Sequence, residues 1–160
     1  MMTGWLLRAK GTSPESVNCG ASDAEHTDIH LAISQDPTET NECFSNTAEM
    51  IPHYRPAAWT PSAFHFLAKL KPKKTNGTIE YTDYDTDSRP PVRVTGQLFF
   101  DGSHKVCNGG TSLKGEPARF SNWEIHPVYN IEVCTAANTD ECDVDNDDIW
   151  ENFTTWNDHH

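Results

Sequence analysis

The sequence lacks several features that would assign it to a familiar class. Apolar residues make up 36% of the 160 residues, and no apolar run approaches the roughly 18 residues of a membrane-spanning helix. Neither a G-x-S-x-G elbow nor a G-x-x-x-x-G-K phosphate loop is present, so nucleophilic and nucleotide-dependent catalysis have little support. Basic residues number 12 against 24 acidic ones, which excludes a polybasic nucleic-acid tail. The sequence therefore predicts a small soluble domain with a modest core.

The acidic charge is concentrated at the C-terminal end. Eight acidic residues and no Lys or Arg lie between Asp140 and Asp158; without them, sixteen acidic and twelve basic residues leave only −4 of the net charge of −12. Such a block usually stays solvated, but Trp150, Phe153 and Trp156 are spaced like one face of a helical turn. We therefore predict a domain over residues 1–136 and an acidic tail with an aromatic docking patch over residues 137–160.

Five cysteines leave at least one thiol unpaired within the chain, and none of them forms the C-x-x-C pair of zinc-ribbon or thioredoxin motifs. The cysteine content fits one or two disulfides in an oxidising compartment, or buried thiols in a reducing one. The N-terminal residues lack a signal peptide's charged and apolar regions. A secreted or periplasmic location is the first expectation, with the signal removed, and a cytoplasmic location is the alternative.

Alternating apolar residues and β-branched runs predict five strands. Gly96 indicates a bulge or bend in the fourth strand, and Pro127 indicates a kink in the fifth. The predicted strands are Thr3–Lys10, Thr27–Ile33, Phe44–Ile51, Val92–Phe100 and Trp123–Cys134.

One helix is predicted between the third and fourth strands. Thr60 is a suitable N-cap, Pro61 suits the first helical position, and good helix formers follow to Leu70. Long loops are expected over residues 11–26, 71–91 and 101–122, of which the last two are candidates for ligand contacts. This order predicts an all-β fold with one helix, a five-stranded OB-fold-like barrel followed by the acidic tail.

Several segments resemble a group of small, largely uncharacterised bacterial proteins. The matching elements are Val92-Arg93-Val94-Thr95-Gly96 with Phe99-Phe100-Asp101, then Glu124-Ile125-His126-Pro127-Val128, and upstream Asp28-Ile29-His30-Leu31. The resemblance spans roughly residues 3–134 and leaves out the acidic tail. It implies an OB-like fold, often in exported proteins, and brings no established activity.

Five residues are candidate metal ligands, because imidazole and carboxylate groups suit zinc and other divalent transition metals. An Asp-x-His pair or a Glu-x-His pair on a strand points both side chains to one face. Alternatively, each pair faces outward and orders a loop, and OB strand order separates the second and fifth strands. The candidates are Asp28, His30, His104, Glu124 and His126.

Two further kinds of site have weaker support. Trp59, Arg89 and Arg93 could bind a ligand, including single-stranded nucleic acid on an OB barrel, although the net charge argues against nucleic acid. The patterns Asp143-x-Asp145-x-Asp147 and Asp83-x-Asp85-x-Asp87 begin like EF-hand loops, but both lack the later Gly and Glu. Calcium is therefore the second candidate metal after zinc.

Three functions remain open at this point. The first is a non-enzymatic binding module that contacts an unknown ligand or protein partner through residues 71–91 and 101–122. The second is a metal-dependent, zinc-type hydrolase that uses the Asp/His and Glu/His pairs. The third is single-stranded nucleic-acid binding.

Overall fold

The computed structural model is built mainly from β-strands. It describes residues 1–11, 19–21, 23, 25–75, 78–83, 89–112 and 118–160, with the backbone alone for 71–75 and 78–83. The described residues contain one short α-helix, α1 (Phe153–Asn157). The strands are β1 (Met2–Gly11), β2 (Ile29–Ser34), β3 (Asn46–Met50), β4 (Leu70–Thr75), β5 (Thr78–Asp83), β6 (Val92–Phe100), β7 (Trp123–Cys134) and β8 (Trp150–Asn152).

Six strands form one sheet in the order β3-β2-β1-β6-β7-β8, and adjacent strands in this order are antiparallel. A further parallel bridge between Ala48 of β3 and Ile125 of β7 closes a ring of hydrogen bonds through five strands. The five predicted strands correspond to β1, β2, β3, β6 and β7 of this ring. The prediction of a mainly β fold is confirmed, and the single short α-helix of the described residues lies at the C-terminal end, after the strands of the ring.

The alternation that predicted the second strand reflects burial inside the ring. Ile29, Leu31 and Ile33 are each 1% exposed, whereas His30 between them is only partly buried. Val92 and Val94 of β6 are buried in the same hydrophobic cluster. Apolar side chains at every second position of β2 and β6 thus place one face of these two strands in the core.

The predicted irregularities in the fourth and fifth strands are confirmed. The β6–β7 register shifts on both sides of Gly96, and the His126–Pro127 peptide bond is cis. A Cβ atom at Gly96 would lie 2.3 Å from the Pro127 carbonyl oxygen and 2.4 Å from Ile125 Cγ2. Only glycine allows the two strands to approach this closely.

The prediction of a helix from Thr60 to Leu70 is wrong. Only a 3₁₀ helix over Pro61–Phe64 forms, and Leu70 already begins β4. The Lys69 backbone N–H donates to the Leu6 carbonyl of β1 at 3.0 Å, which ties the chain to the sheet where a helix would have continued. Phe64, Leu67 and Ala68 are buried as expected, so burial was inferred correctly and backbone conformation was not.

The predicted loop over 71–91 contains regular structure. β4 and β5 pair antiparallel from Leu70↔Asp83 to Thr75↔Thr78 as a separate two-stranded sheet. The lysines at positions 71, 73 and 74 lie on β4.

The C-terminal residues contact the sheet. β8 pairs with the end of β7, from Glu132↔Asn152 to Cys134↔Trp150. Phe153 is fully buried and Trp156 is 6% exposed, and both belong to the main hydrophobic cluster. The proposed division of the chain at residue 136 stays a prediction.

Two cysteine pairs lie at disulfide distance, Cys43–Cys107 and Cys134–Cys142, and Cys19 is a free, exposed thiol. Of the two alternatives, these distances favour one or two disulfides, with a thiol left over, rather than buried thiols, and such bonds are typical of an oxidising compartment. Among the described residues, no helix has the length and apolar character needed to cross a membrane.

Candidate functional site

Histidine and glutamate side chains from three strands meet on the outer face of the ring. His30 of β2 lies directly opposite Glu49 of β3. Next to Glu49, Ala48 pairs with Ile125, which is flanked on β7 by Glu124 and His126. Because Ala48 and Ile125 point into the core, their neighbours along each strand point outward. The four outward side chains form what we call the His/Glu cluster: His30, Glu49, Glu124 and His126.

Three members of the His/Glu cluster could bind one metal ion. A carboxylate oxygen of Glu49, one of Glu124 and a ring nitrogen of His126 all lie within 4.8 Å of one another. His126 Nδ1 is 2.8 Å from Glu49 Oε2 and 3.2 Å from Glu124 Oε1. These separations are close to the roughly 3.3 Å between neighbouring ligand atoms of a tetrahedral zinc site, so the donor set fits the group.

The second oxygen of each carboxylate has its own partner. Glu49 Oε1 contacts His30 Nε2, and Glu124 Oε2 accepts a hydrogen bond from Arg119 Nη1 at 2.8 Å. Each carboxylate is thus held through one of its oxygens, while its other oxygen faces His126. Such outer partners fix the orientation of ligand carboxylates in metal sites.

Arg119 is the most buried charged residue of the site, with no exposed surface. Its Nη1 donates to Glu124 and, at 3.0 Å, to Asp101 Oδ2. Within the described part of the chain, its Nε and Nη2 atoms have no hydrogen-bond partner. Asp101 also contacts His104 Nδ1 and accepts from Ser103. This network joins the 101–122 segment to the His/Glu cluster.

The network shifts the pKa values of its members. The hydrogen bonds to Glu124 and Glu49 raise the pKa of His126 to about 10, against the opposing effect of burial. Burial raises the pKa of Glu49, but its hydrogen bonds to His126 and His30 prevail and lower the pKa well below the usual value. Burial likewise raises the pKa of Asp101, whereas hydrogen bonds from Ser103 and His104 lower it to about 2. At neutral pH these groups favour a charged network, in which His126 is protonated, and a metal ion would bind there by displacing that proton.

Access to the cluster is from the side of His126. The His126 side chain is 29% exposed, whereas the side chains of Glu49 and Glu124 are 9% and 1% exposed. The Phe99 ring, on β6, lies 5.3 Å from the His126 ring between centroids. A small ion can reach the cluster from this side, and the buried carboxylates would form the floor of the site.

Three of the five predicted metal ligands, His30, Glu124 and His126, lie in the His/Glu cluster. His104 joins it indirectly, through Asp101 and Arg119. Asp28, at the residue before β2, lies outside the His/Glu cluster and is 2% exposed. Burial lowers the pKa of Arg55, and the negative charge of Asp28 acts in the opposite direction. Asp28 therefore lies close to Arg55.

Sequence reasoning missed Glu49 and Arg119. Glu49 is the one acidic residue of β3. The alternation of side chains along the strand places Glu49 on the outer face and its neighbour Ala48 in the core. That signal was present, but it pointed to a site only once the parallel β3–β7 bridge was known. Arg119 lies outside every strand, and nothing in its local sequence indicates that it is buried.

The predicted ligand-binding residues have internal partners. Trp59 is 4% exposed and its Nε1 donates to Thr154 Oγ1 at 2.9 Å. Arg93 is 6% exposed and pairs with Glu132 and Asp147. Arg89 donates to the Ala68 carbonyl. A ligand-binding role for these three residues stays a prediction.

The two acidic patterns differ in what the structure describes. In the first, Asp147 pairs with Arg93 at 2.7 Å, and Asp143 Oδ1 accepts from the Asp145 backbone N–H. In the second, positions 85 and 87 lie outside the described residues. Calcium binding at either pattern stays a prediction.

The 101–122 segment also borders a shallow cavity of about 660 Å³ that is largely open to solvent. Residues 40–43 form its opposite wall, and the Asn41 side chain reaches across to the Gly110 carbonyl at 2.9 Å. This cavity lies where ligand contacts were expected from the sequence.

The fold and site together define a small β-sheet protein in which two buried glutamates and a partly exposed histidine converge on the outer face of the sheet. Comparison with models of known protein families, with curated proteins and with solved structures finds no match.

Proposed function

We propose that this protein is a non-enzymatic binding module that holds a divalent transition-metal ion at Glu49, Glu124 and His126. The observation that carries the proposal is the convergence of three ligand atoms within 4.8 Å on a largely buried floor. Two carboxylates match the charge of one divalent cation, and the imidazole favours zinc over calcium. His30 and Arg119 would orient the two carboxylates from behind.

The scaffold that we propose for this site is an OB-type barrel. Going round the ring, the hydrogen-bonded order is β1-β2-β3-β7-β6 and back to β1. Numbered as five strands, this is 1-2-3-5-4, with the third and fifth strands parallel. It supports the interpretation of a partly open, five-stranded Greek-key barrel. On that scaffold the proposed metal site lies outside the barrel, over its third and fifth strands.

The proposed location is secreted or periplasmic. The two cysteine pairs at disulfide distance support it, because such bonds persist in oxidising compartments. Titration of thiols in the denatured, unreduced protein should find one, Cys19. Finding five would support the cytoplasmic alternative.

A metal-dependent hydrolase is the second candidate. Three protein ligands leave a coordination position open, which is typical of catalytic zinc sites. The partial exposure of His126 favours this candidate, because a substrate would need to reach the ion. Hydrolysis of activated esters by the zinc-loaded protein, lost in a Glu49→Gln variant, would favour the enzyme over the module.

Zinc titration of the metal-free protein tests the proposal. The terminal residues His159 and His160 should first be replaced by Ala, because adjacent histidines can bind metal themselves. We expect one equivalent of zinc in competition with a chromophoric chelator, and at least a tenfold loss of affinity in Glu49→Gln and His126→Gln variants. His53→Gln, in a histidine outside the cluster, is the matched control and should bind normally.

Cobalt provides a second readout that does not depend on overall stability. Tetrahedral Co²⁺ bound by these residues should show visible d–d absorption, which the Glu49→Gln variant should lack although its far-UV circular dichroism is native. Zinc binding that is equal in the cluster variants and in the His53→Gln control would refute the proposal.

A further inference from the structure

One of the two disulfides adjoins the network that holds the proposed metal site. Cys43 belongs to a short 3₁₀ helix just before β3. Its partner Cys107 lies in the 101–122 segment, 64 residues further along the chain. The bond therefore ties the chain that leads into the strand of Glu49 to the segment that carries Arg119.

Two backbone hydrogen bonds extend this connection to Arg119. The Cys107 N–H donates to the Arg119 carbonyl at 3.0 Å, and the Phe120 N–H donates to the Ser45 carbonyl at 2.8 Å. Ser45 follows the 3₁₀ helix of Cys43 and is fully buried. Arg119 is thus fixed through Cys107 on one side and through its neighbour Phe120 on the other.

The position of Arg119 decides the position of a ligand carboxylate. Arg119 Nη1 is 2.8 Å from Glu124 Oε2, and the other oxygen of Glu124 faces His126. Because Arg119 is fully buried, the 101–122 segment must stay closed over it to keep this contact dry. Once exposed to water, an ion pair is worth little. Opening the segment would therefore release the Glu124 carboxylate.

The disulfide is the strongest tie in the middle of the segment. At the base, the Asp101 N–H donates to the Asn122 carbonyl at 2.9 Å, where β6 and β7 separate. Further out, the exposed Asn41 donates to the Gly110 carbonyl at 2.9 Å. A hydrogen bond at the surface exchanges readily with water, whereas the disulfide holds until it is reduced.

We propose that the Cys43–Cys107 disulfide controls metal binding at the His/Glu cluster, so that the site is complete only in the oxidised protein. This inference rests on the proposed function and adds its regulation. Thiol–disulfide exchange with two molecules of a thiol reductant breaks the Sγ–Sγ bond: the two cysteines take up two electrons and two protons, and the reductant becomes a disulfide. The segment then opens, and Glu124 loses the partner that orients it.

A thiol reductant can approach this bond from solvent. Cys43 lines the shallow cavity that borders the 101–122 segment, and Cys107 is partly exposed. Exchange depends on access to a sulfur. A small thiol in this cavity lies beside Cys43, so attack does not require the protein to unfold first.

The Cys134–Cys142 disulfide is the matched comparison. Its cysteines are only 8 residues apart, and it joins the end of β7 to the acidic C-terminal residues. Glu124 lies near the opposite end of β7. Breaking this bond removes the same chemical group and leaves the Arg119 network in place, so metal binding should not change.

Zinc titration of two double variants tests the proposal. Cys19 is replaced by Ser in every protein, because a free thiol can itself bind zinc. Cys43→Ser with Cys107→Ser should bind zinc about tenfold more weakly or worse, the usual effect of losing an outer partner. Cys134→Ser with Cys142→Ser should bind like the parent. Equal affinities in all three proteins would overturn this inference and leave the metal site standing, whereas a parent that binds no zinc would remove the proposed function and this control with it.

The route through Arg119 has its own test. Arg119→Met in the oxidised protein should weaken zinc binding to a similar extent. Combining it with Cys43→Ser and Cys107→Ser should weaken binding little further, because both changes act on Glu124. Independent, multiplying losses would show that the disulfide acts by another route and would overturn the proposal.

A measurement on the native disulfides covers any variant that circular dichroism shows to be unfolded. Coupling between two sites is reciprocal, so saturating zinc should make Cys43–Cys107 harder to reduce by the same factor. Equilibration in a glutathione redox buffer at fixed free zinc, followed by alkylation and peptide mass spectrometry, reports each bond separately. The reduction of Cys134–Cys142 should not respond to zinc. An equal response of both bonds, or none at Cys43–Cys107, would contradict the proposal.

Discussion

Arg119 shows how one side chain can hold two parts of this molecule together. It is fully buried and bonded to Glu124 on β7 and to Asp101 at the end of β6. A buried ion pair gives little net stability over an apolar pair, but removing one partner leaves the other charge buried and uncompensated. Arg119 therefore matters mainly for keeping the Glu124 carboxylate in place.

Replacing Arg119 by Met should destabilise the protein by about 3–5 kcal/mol, because Glu124 is then left buried without its partner. Urea unfolding measures the loss. Lys105→Met removes an exposed charge from the same segment and should cost less than about 0.5 kcal/mol. Adding Glu124→Gln to Arg119→Met should restore part of the stability. Equal losses in the Arg119 and Lys105 variants would contradict this account.

Asp101 should make stability depend on acid pH. Its pKa is about 2 in the folded protein, against an ordinary value of 3.8, so the unfolded chain takes up the proton first as the pH falls. The carboxylate's contribution is full above pH 3.8 and is lost as the pH falls towards 2. The difference in unfolding free energy between the parent and Asp101→Asn should therefore shrink as the pH falls from 3.8 towards 2. Asp145→Asn, in an exposed acid, is the control for general charge effects, and an unchanged Asp101 difference would argue against the network.

At the scale of elements, the close approach of β6 and β7 depends on Gly96. At one end the two strands carry valines of the core, and at the other end they carry exposed apolar side chains. The bulge at Gly96 lies between these two regions. The same bulge adjoins His126 and Pro127, so it also positions one member of the His/Glu cluster.

Gly96→Ala should lower the unfolding free energy by about 1–3 kcal/mol, the usual cost of overpacking. Its methyl group would collide with the Pro127 carbonyl oxygen, which is part of the backbone and cannot rotate away. At Gly102 the nearest atom to an added Cβ is Phe100 Cε1 at 3.6 Å, an ordinary contact, so Gly102→Ala should be close to neutral. Thermal unfolding of the two variants side by side checks the expectation, which fails if both melt like the parent.

At the scale of the whole molecule, the acidic C-terminal residues pack against the rest of the protein. Phe153 stacks on Phe64 with ring centroids 4.3 Å apart and planes 7° from parallel. Trp59 donates its indole N–H to Thr154 in the same helix. Arg93, on β6, binds Asp147 and lies 5.1 Å from the centre of a Trp150 ring. The first two contacts connect the C-terminal helix to the core, and the contacts of Arg93 connect Asp147 and Trp150 to β6.

Phe153→Ala should therefore destabilise the whole domain by about 3–5 kcal/mol, the range for truncating a buried phenylalanine. Chemical denaturation followed by tryptophan fluorescence and by far-UV circular dichroism should give one shared transition at lower denaturant. Phe120→Ala, at an exposed ring, should leave the midpoint nearly unchanged. A parent-like midpoint for Phe153→Ala would mean that residues 137–160 behave as an independent tail.

The sequence by itself determined the local features of this protein. Strict alternation identified β2, and Gly96 and Pro127 marked the irregular part of the β6–β7 pair, because these signals depend on neighbouring residues. The buried positions of Phe64 and Leu67 were also predictable, although the helix expected around them did not form.

Tertiary structure decided what the sequence could not. A 3₁₀ helix forms in place of the predicted α-helix, because the distant strand β1 supplies the carbonyl that accepts the hydrogen bond from the Lys69 backbone N–H. Which cysteines pair, and which end of the chain completes the core, depend on contacts between distant segments. The His/Glu cluster depends on them most of all. Glu-x-His was visible in the sequence, but Glu49 joins it only because β3 bridges β7, and Arg119 only because the chain returns to bury it. A ligand set drawn from two strands that are distant in the sequence is fixed by the pairing of those strands, and local sequence does not encode that pairing.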